Sequence, residues 1–384
     1  MLNVLDFEGA LDRDVVQAII LSQAADLTPI YATLTAAGRT RETKAEKFEW
    51  YTSTLAARRS AINNGGAAYD AEDTALVVDD ATVYYPNAVI LAEATGEIML
   101  VTAVNTGTDT ITVVRGLGSV VAAHADSVAD NAVLTVVGPA MGEASEVPGP
   151  RHTGASNVHN YVQTYRKAVQ LSGRMDRSAT LTEGERARQR AAKMREMLDD
   201  FEHSLLFGAV ESGAEVADAD GKRVTTSGGF LQAITTHVDA VDGTVTLARF
   251  DEFAEIAFER GSREKFLFAG ATLVSALHTL YRDKMTVASL ADAAGLRLSR
   301  VRTPYGDFLL QHHRGLAGAY AGHGVAVDPE QAELRIMQGG EPNLRADVKK
   351  DGVDGMIDEW WAEWGLQWGS QDHHAVISGV SGAA

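Results

Sequence analysis

Between Gly355 and Trp368 the chain alternates with a period of two. Met356, Trp360, Trp364, Leu366 and Trp368 fall on one face of an extended strand, and Glu359, Trp361, Glu363 and Gln367 on the other. Four of the five tryptophans lie in this run. A helical repeat of four also fits Trp360, Trp364 and Trp368, but Gly365 and Gly369 disfavour a helix interior. The pattern therefore predicts a strand of about 13 residues, roughly 40 Å long. So aromatic a strand must lie against a large apolar surface. Its length points to a flat, extended subunit that finds part of its core in its neighbours.

The clearest helical period runs from Thr182 to Gly208. Ala187, Ala191, Met194, Leu198, Phe201 and Leu205 recur at alternating fours and threes, over about 40 Å of helix. Thr182 and Glu185 have capping-box spacing, and Gly208 is placed to stop the helix. The charges run against the macrodipole. After Glu183 and Glu185 come Arg186, Arg188, Arg190, Lys193 and Arg195, and then Glu196, Asp199, Asp200 and Glu202. Each misplaced charge costs ~0.3–1 kcal/mol. Either a complementary neighbouring surface or chance placement on a wet face accounts for this order.

Elsewhere the periods are shorter. Residues 1–33 combine weak helical periodicity (Val15, Ile19, Leu21, Leu27) with Thr28-Pro29-Ile30 and read as an arm. Residues 34–66 are strongly charged, with Arg39, Arg41, Glu42, Lys44, Glu46, Lys47 and Glu49 before Trp50, then Arg58 and Arg59. Such a run is usually a solvated face or flexible loop, and less often a charged docking strand. From Thr74 to Val137, short β runs at 75–78, 88–91, 97–104, 110–115 and 132–137 predict a small β module, with a hairpin loop at Asn105–Asp109. A strand is expected at 161–171. From 246 to 345 the pattern is α/β. Phe250, Phe253, Ala254, Ala257 and Phe258 mark a core-facing helix, Phe266–Phe268 a buried strand and 272–284 a second helix, with strands at 296–302 and 308–312.

With 384 residues there is room for two or three modules. Zero cysteines exclude disulfides, thiolate nucleophiles and Cys-ligated metals. No apolar run approaches the ~18 residues of a membrane span, and the first residues lack a signal-peptide pattern, which places synthesis in the cytoplasm. The net charge, 34 − 52 = −18, has the wrong sign for gripping phosphates. It suits a container wall that must not hold its contents.

The search for chemistry finds no P-loop, Rossmann fingerprint or nucleophile elbow; Gly116-Leu-Gly118 lacks the third glycine. Asp218-Ala-Asp220-Gly221 carries part of a calcium loop, but Val216 and Ser227 replace its first and last acids, so a plain turn is expected. The pairs His312-His313 and His373-His374 point to opposite faces of extended chain and cannot clamp one ion. Glu359 and Glu363 lie roughly 13 Å apart along the strand, too wide for paired glycosidase carboxylates. No catalytic, cofactor or metal residue is assigned.

The C-terminal motifs in order resemble those of tailed-bacteriophage major capsid proteins of the Hong Kong 97-type fold. They are Val301-Arg-Thr-Pro-Tyr-Gly-Asp-Phe308, Val325-Ala-Val-Asp-Pro329 with Leu334-Arg335, Asp358-Glu-Trp-Trp-Ala-Glu-Trp-Gly-Leu366 and His374-Ala-Val-Ile-Ser-Gly379. Thr28-Pro-Ile30 and the charged stretch ending Phe48-Glu-Trp50 look like the arm and extended loop, and 182–208 like the spine helix. The resemblance implies an α+β fold with an N-terminal arm (1–33), an extended loop with flanking strands (34–66 and 139–180) and a peripheral domain (181–245). An axial domain (246–345) and a return strand of the peripheral domain (346–384) complete it. Residues 67–138 depart from the minimal fold as an inserted β domain. The implied function is a non-catalytic head protein forming an icosahedral shell of pentamers and hexamers around double-stranded DNA, in the virion, assembled in the host cytoplasm. Portal and scaffolding proteins are implied partners, the latter because no coiled-coil scaffold precedes the arm. Arg39, Arg41, Glu46, Glu49, Arg58, Arg59, Arg186 and Arg190 become candidate inter-subunit contacts. Trp360, Trp364, Trp368, Met194, Leu198 and Phe201 become the candidate core. An encapsulin-like nanocompartment, and a carbohydrate-active or adhesive phage protein built on the β module, are the alternatives.

Overall fold

The computed structural model describes residues 28–53, 57–70, 72–119, 128–143, 154–173, 185–214, 216–281, 286–287, 299–349, 352 and 355–383. The arm periodicity before Thr28, the capping position Thr182 and the strand expected from residue 296 up to 298 lie outside these residues. The chain divides into two compact units, residues 53–156 and the remainder on either side.

The larger unit begins with helix α1 (Pro29–Ala36) and strands β1 (Thr40–Thr43) and β2 (Lys47–Thr52). The smaller unit contributes β3 (Arg59–Ala61), β4 (Ala75–Val77), β5 (Ala88–Ala92), β6 (Ile98–Asn105), β7 (Thr110–Val114) and β8 (Val133–Pro139). The larger unit resumes with β9 (Ser156–Tyr161), β10 (Gln163–Leu171), α2 (Glu185–Phe207), α3 (Phe230–Ala233), β11 (Val238–Val245) and α4 (Leu247–Ala257). Then follow β12 (Glu264–Ala269), α5 (Ala271–Leu280), β13 (Thr286–Val287), β14 (Ser299–Arg302) and β15 (Asp307–His312). The last strands are β16 (Gly324–Val327), β17 (Glu333–Met337), β18 (Asn343–Arg345), β19 (Met356–Gln367) and β20 (Ala375–Ala383).

In the smaller unit the strand order is β3-β8-β5-β6-β7-β4. An antiparallel bridge between Ile62 and Val78 joins the two ends of this order. It is flanked by Asn63 N–H donating to Val77 O at 3.0 Å and Asp79 N–H to Ala61 O at 2.9 Å. The sheet is thus closed into a six-stranded antiparallel barrel, which removes the exposed edges of an open sheet. Its interior holds Ile62, Leu76, Ile90, Met99, Val101, Ile111, Val113 and Leu134. The five β runs read from the sequence are β4 to β8. The sixth strand, β3, comes from the charged stretch, where Arg58 and Arg59 hide its short apolar pattern.

In the larger unit, a five-stranded sheet has the order β1-β17-β19-β10, with β18 also on β19. The tryptophan strand β19 is its spine and pairs with β10 over nine residues, from Gln163↔Trp364 to Leu171↔Met356. The expected strand 161–171 is interrupted at Val162, whose N–H turns to Glu46 O at 2.8 Å. Helix α2 lies over this sheet and buries Met194, Met197, Leu198, Phe201, Leu205 and Leu206. Ala187 and Ala191 of the expected stripe are exposed instead, because the apolar cover starts only at Met194. At its end, a side chain on Gly208 would meet Ser227 O at 2.2 Å, so glycine is required by close backbone approach.

Trp364 is 1% exposed. Its ring stands edge-on to Phe201 at 4.4 Å and stacks on Tyr31 of α1 at 5.4 Å. Trp360 Nε1 donates to Arg190 O at 2.8 Å. Trp368 meets Trp50 of β2 edge-on at 5.1 Å. A second sheet of seven strands, β11-β20-β16-β12-β15-β14-β13, carries α4 and α5 and a core of Phe250, Phe253, Leu267, Leu277 and Phe308. The C-terminal strand β20 belongs to this sheet and not to that of β19.

Truncating a buried tryptophan typically costs ~3–5 kcal/mol. Trp364→Ala is expected to give largely insoluble protein, whereas Glu363→Gln, which only accepts from Thr164 Oγ1 at 3.2 Å, should be nearly neutral. Soluble yield and melting temperature of the two variants check this. A soluble Trp364→Ala protein that melts like the parent would refute it.

Candidate functional site

The candidate contact residues divide into two groups. Arg41, Glu49, Arg58 and Arg59 expose their side chains, while Arg39 and Glu46 are half-buried. On β2 the alternation turns Phe48 and Trp50 inward and leaves Lys47, Glu49 and Tyr51 outward, with Tyr51 72% exposed. Within the chain Glu49 pairs with Lys47 and accepts from Asn157 at 3.0 Å. Glu46 meets Arg223, and Arg59 meets Glu93 at 2.9 Å.

Arg186 and Arg190 are placed differently. Both reach Asp358 of β19: Arg186 is bidentate, with two contacts of 2.7 Å, and Arg190 Nε lies 2.9 Å away. Asp358 is 1% exposed and also accepts Asp347 N–H at 3.0 Å. Burial alone would push this carboxyl up. The two guanidinium groups and the backbone N–H outweigh burial and hold it well below the usual carboxylate range. The basic first half of α2 is therefore matched by an acid on the strand beneath it. Asp358 replaces the apolar contact that Ala187 and Ala191 do not make.

A second polar centre lies at the foot of the seven-stranded sheet. Lys265, fully buried, donates from Nζ to Ala257 O at 2.6 Å, Arg260 O at 2.8 Å and His373 O at 2.6 Å. It thus closes the C-terminal end of α4. Burial lowers its pKa to about 8, against partial support from Asp328. Asp328 accepts from Ser262 N and Oγ and from Glu330 N at 2.8–2.9 Å, and these bonds overcome burial to lower its pKa. His374 accepts Asp328 N–H on Nδ1 at 3.1 Å, so its proton sits on Nε2, which donates to Trp368 O at 2.6 Å. Burial lowers the His374 pKa to about 4.

Neither centre has the open, substrate-sized geometry of a catalytic site. In both histidine pairs one ring is buried (His313, His374); of their neighbours His312 is exposed, and His373 is half-buried with its Nδ1 3.7 Å from Asp328 Oδ2. The Asp218 loop is a turn whose carboxylate accepts N–H from Asp220 at 3.0 Å and Lys222 at 2.8 Å. Glu359 pairs with Arg166, and Arg345 lies 4.3 Å over the Trp361 ring. Among the described residues no group of three or more His, Asp or Glu could hold a metal ion, and no helix is long and apolar enough to cross a membrane. Sequence reasoning assigned no role to Asp358, Lys265, Asp328 or Glu202. For Asp358 a signal existed, since its parity places it on the face of Trp360 and Trp364.

The family model of the SU10 major capsid protein matches residues 3–381 of this chain. The class is thus a structural, non-enzymatic shell protein of the virion, one that self-assembles into oligomeric shells. The chain belongs to the SU10 major capsid protein family. No curated protein matches it. Among solved structures it is similar to one from Mycobacterium phage Bobi at 7% identity, covering 90% of this chain and 89% of that one with TM-score 0.45. For Mycobacterium phage Cain the values are 11%, 96%, 98% and 0.44. For the satellite phage P4 procapsid including size determination protein they are 9%, 98%, 95% and 0.42. The assignment rests on the family match.

Two measurements probe the buried frame. Asp358→Asn leaves two arginines without their carboxylate; since both are partly solvated, a loss of ~2–4 kcal/mol in unfolding free energy is expected, read as a lower urea midpoint. An unchanged midpoint would show that the helix is held by other contacts. For His374 the folded pKa is depressed, so the unfolded chain takes up the proton first as pH falls. Its stabilising contribution is complete above about 6.5 and declines towards pH 4, a loss of ~2 kcal/mol at pH 5. His374→Gln should flatten this part of the stability–pH curve. Parallel curves for parent and variant would rule the histidine out.

Proposed function

We propose that the subunit assembles as pentamers and hexamers into the icosahedral shell enclosing the double-stranded DNA genome of a tailed bacteriophage, with a Hong Kong 97-type fold. In this reading α2 is the spine helix, residues 246–345 the axial domain and 67–138 an inserted domain. Portal and scaffolding proteins are the partners, and assembly takes place in the host cytoplasm. The family match supports the shell. The observation that carries the finer reading is the outward row of Lys47, Glu49 and Tyr51, together with Arg39 and Arg41 just before it. A tyrosine 72% exposed at the end of a charged row is suited to contact with another surface. The net charge of −18 keeps the wall from adhering to the phosphates it encloses.

Rings of five and six require heterologous contacts that close, so one patch of the subunit must meet a different patch of its neighbour. We assign one side of that contact to the outward side chains of the segment from Arg39 to Arg59, which meet an adjacent subunit as a charged clasp. Each exposed pair contributes only ~0–1 kcal/mol, so the effect comes from many copies acting together. Replacing Arg39 and Arg41 with Glu should leave the subunit folded, by circular dichroism, while light scattering shows mostly free subunits and few capsomers or closed shells. Normal shell formation by this variant at physiological salt would exclude the clasp.

A further inference from the structure

Helix α1 raises an accounting problem at its first turn. Pro29 has no N–H, and Ala32 N–H already bonds Thr28 O at 2.9 Å. The N–H groups of Ile30 and Tyr31 remain, both on buried residues. Each needs an acceptor, because a buried unpaired N–H is costly. Both are taken by one side chain from 171 or more residues away: Ile30 N–H donates to Glu202 Oε1 at 2.6 Å, and Tyr31 N–H to Oε2 at 3.1 Å. A carboxylate of α2 therefore caps α1, at the end where the helix dipole favours negative charge.

Glu202 is 0% exposed, and its remaining partner is His313, 1% exposed. Gly315 N–H donates to His313 Nδ1 at 3.0 Å, so the ring's proton is on Nε2, 2.9 Å from Glu202 Oε1. Three elements thus meet at one carboxylate: α1, α2 and the chain just after β15. Thr33 Oγ1 adds a contact to Gln311 of β15 at 3.4 Å. Only a tight turn separates α1 from β1, with Gly38 N–H on Thr35 O at 3.0 Å and Arg39 N–H on Leu34 O at 2.8 Å. β1 in turn starts at Thr40. Any shift of α1 is passed to Arg39 and Arg41 with little slack.

We propose that Glu202 is the positioning residue of the clasp: by capping α1 it fixes where β1 enters its place beside β17, and so where Arg39 and Arg41 are presented at the edge of the sheet. This rests on the clasp reading above and adds the residue that aims it. Glu202 makes no contact with a neighbour itself; it acts through α1.

Hydrogen exchange of the unassembled subunit, read by mass spectrometry, tests the cap without reference to shells. In Glu202→Ala, amides of 30–36 and 40–43 should exchange about tenfold faster or more, with 264–269 and 88–114 unchanged and shell yield reduced. Glu202→Gln keeps one acceptor oxygen and should be intermediate in both readouts. Unchanged exchange at 30–36 in either variant overturns the proposal. So does faster exchange at 30–36 with a normal yield of shells, since α1 would then not aim the clasp. If Glu202→Ala yields no soluble protein, Glu202→Gln carries the test alone. Failure of the clasp itself is separable: Arg39 and Arg41 replaced by Glu would then assemble normally while Glu202→Ala still loosened α1.

Discussion

The larger unit depends on covering one face of β19. Trp360, Trp364 and Leu366 present more apolar surface than β10 and β17 can hide at their sides, so α2 must lie across them and α1 must fill the remaining gap. The aromatic geometry ties these covers together, since Trp364 touches a ring from α1 (Tyr31), from α2 (Phe201) and from β10 (Tyr165). Such contacts are worth ~0.5–1.5 kcal/mol each beyond the area they bury. More important here, they specify one angle between helix and sheet.

Apolar cover does not fix register along the helix axis, and here buried charge does so. Asp358 pins the first turns of α2, and Glu202 joins its later turns to α1 and to His313. Lys265 ties the end of α4 to the turn before β20. Each group is surrounded by several partners, the condition under which a buried charge is tolerated at all. Slipping α2 by one turn would leave Asp358 and Glu202 buried without their donors. A greasy helix face could accommodate that slip, whereas these carboxylates cannot.

Much of this was legible in the sequence. The two-residue period located β19, the three-four period located α2, and five of the six barrel strands followed from alternation and turns. What was not legible depended on distant partners. Ala187 and Ala191 extend the stripe by spacing, yet nothing apolar lies opposite them. β3 was hidden because a three-residue strand between arginines and a Gly-Gly turn has no period to detect. The ionic frame had a faint signal, in that Asp358 shares the tryptophan face and Glu202 lies one residue from Phe201 and three from Leu205. A charge on an apolar face announces that a partner exists without naming it. For α2 that partner is on a strand some 170 residues later.

The parallel pairing of β1 with β17 has a consequence for synthesis. Thr40 bonds alongside Leu334 and Thr43 alongside Met337, so the strand is complete long before its neighbour leaves the ribosome. At ~5–20 residues per second the wait is roughly 15–60 s. Throughout it β1 is an orphan strand in a crowded cell, the condition under which apolar strands find foreign partners. Its sequence, Thr-Arg-Glu-Thr, has no apolar side chain to offer them. The charges that suit this strand to its place in the finished molecule also keep the nascent chain out of aggregates while the rest is being made.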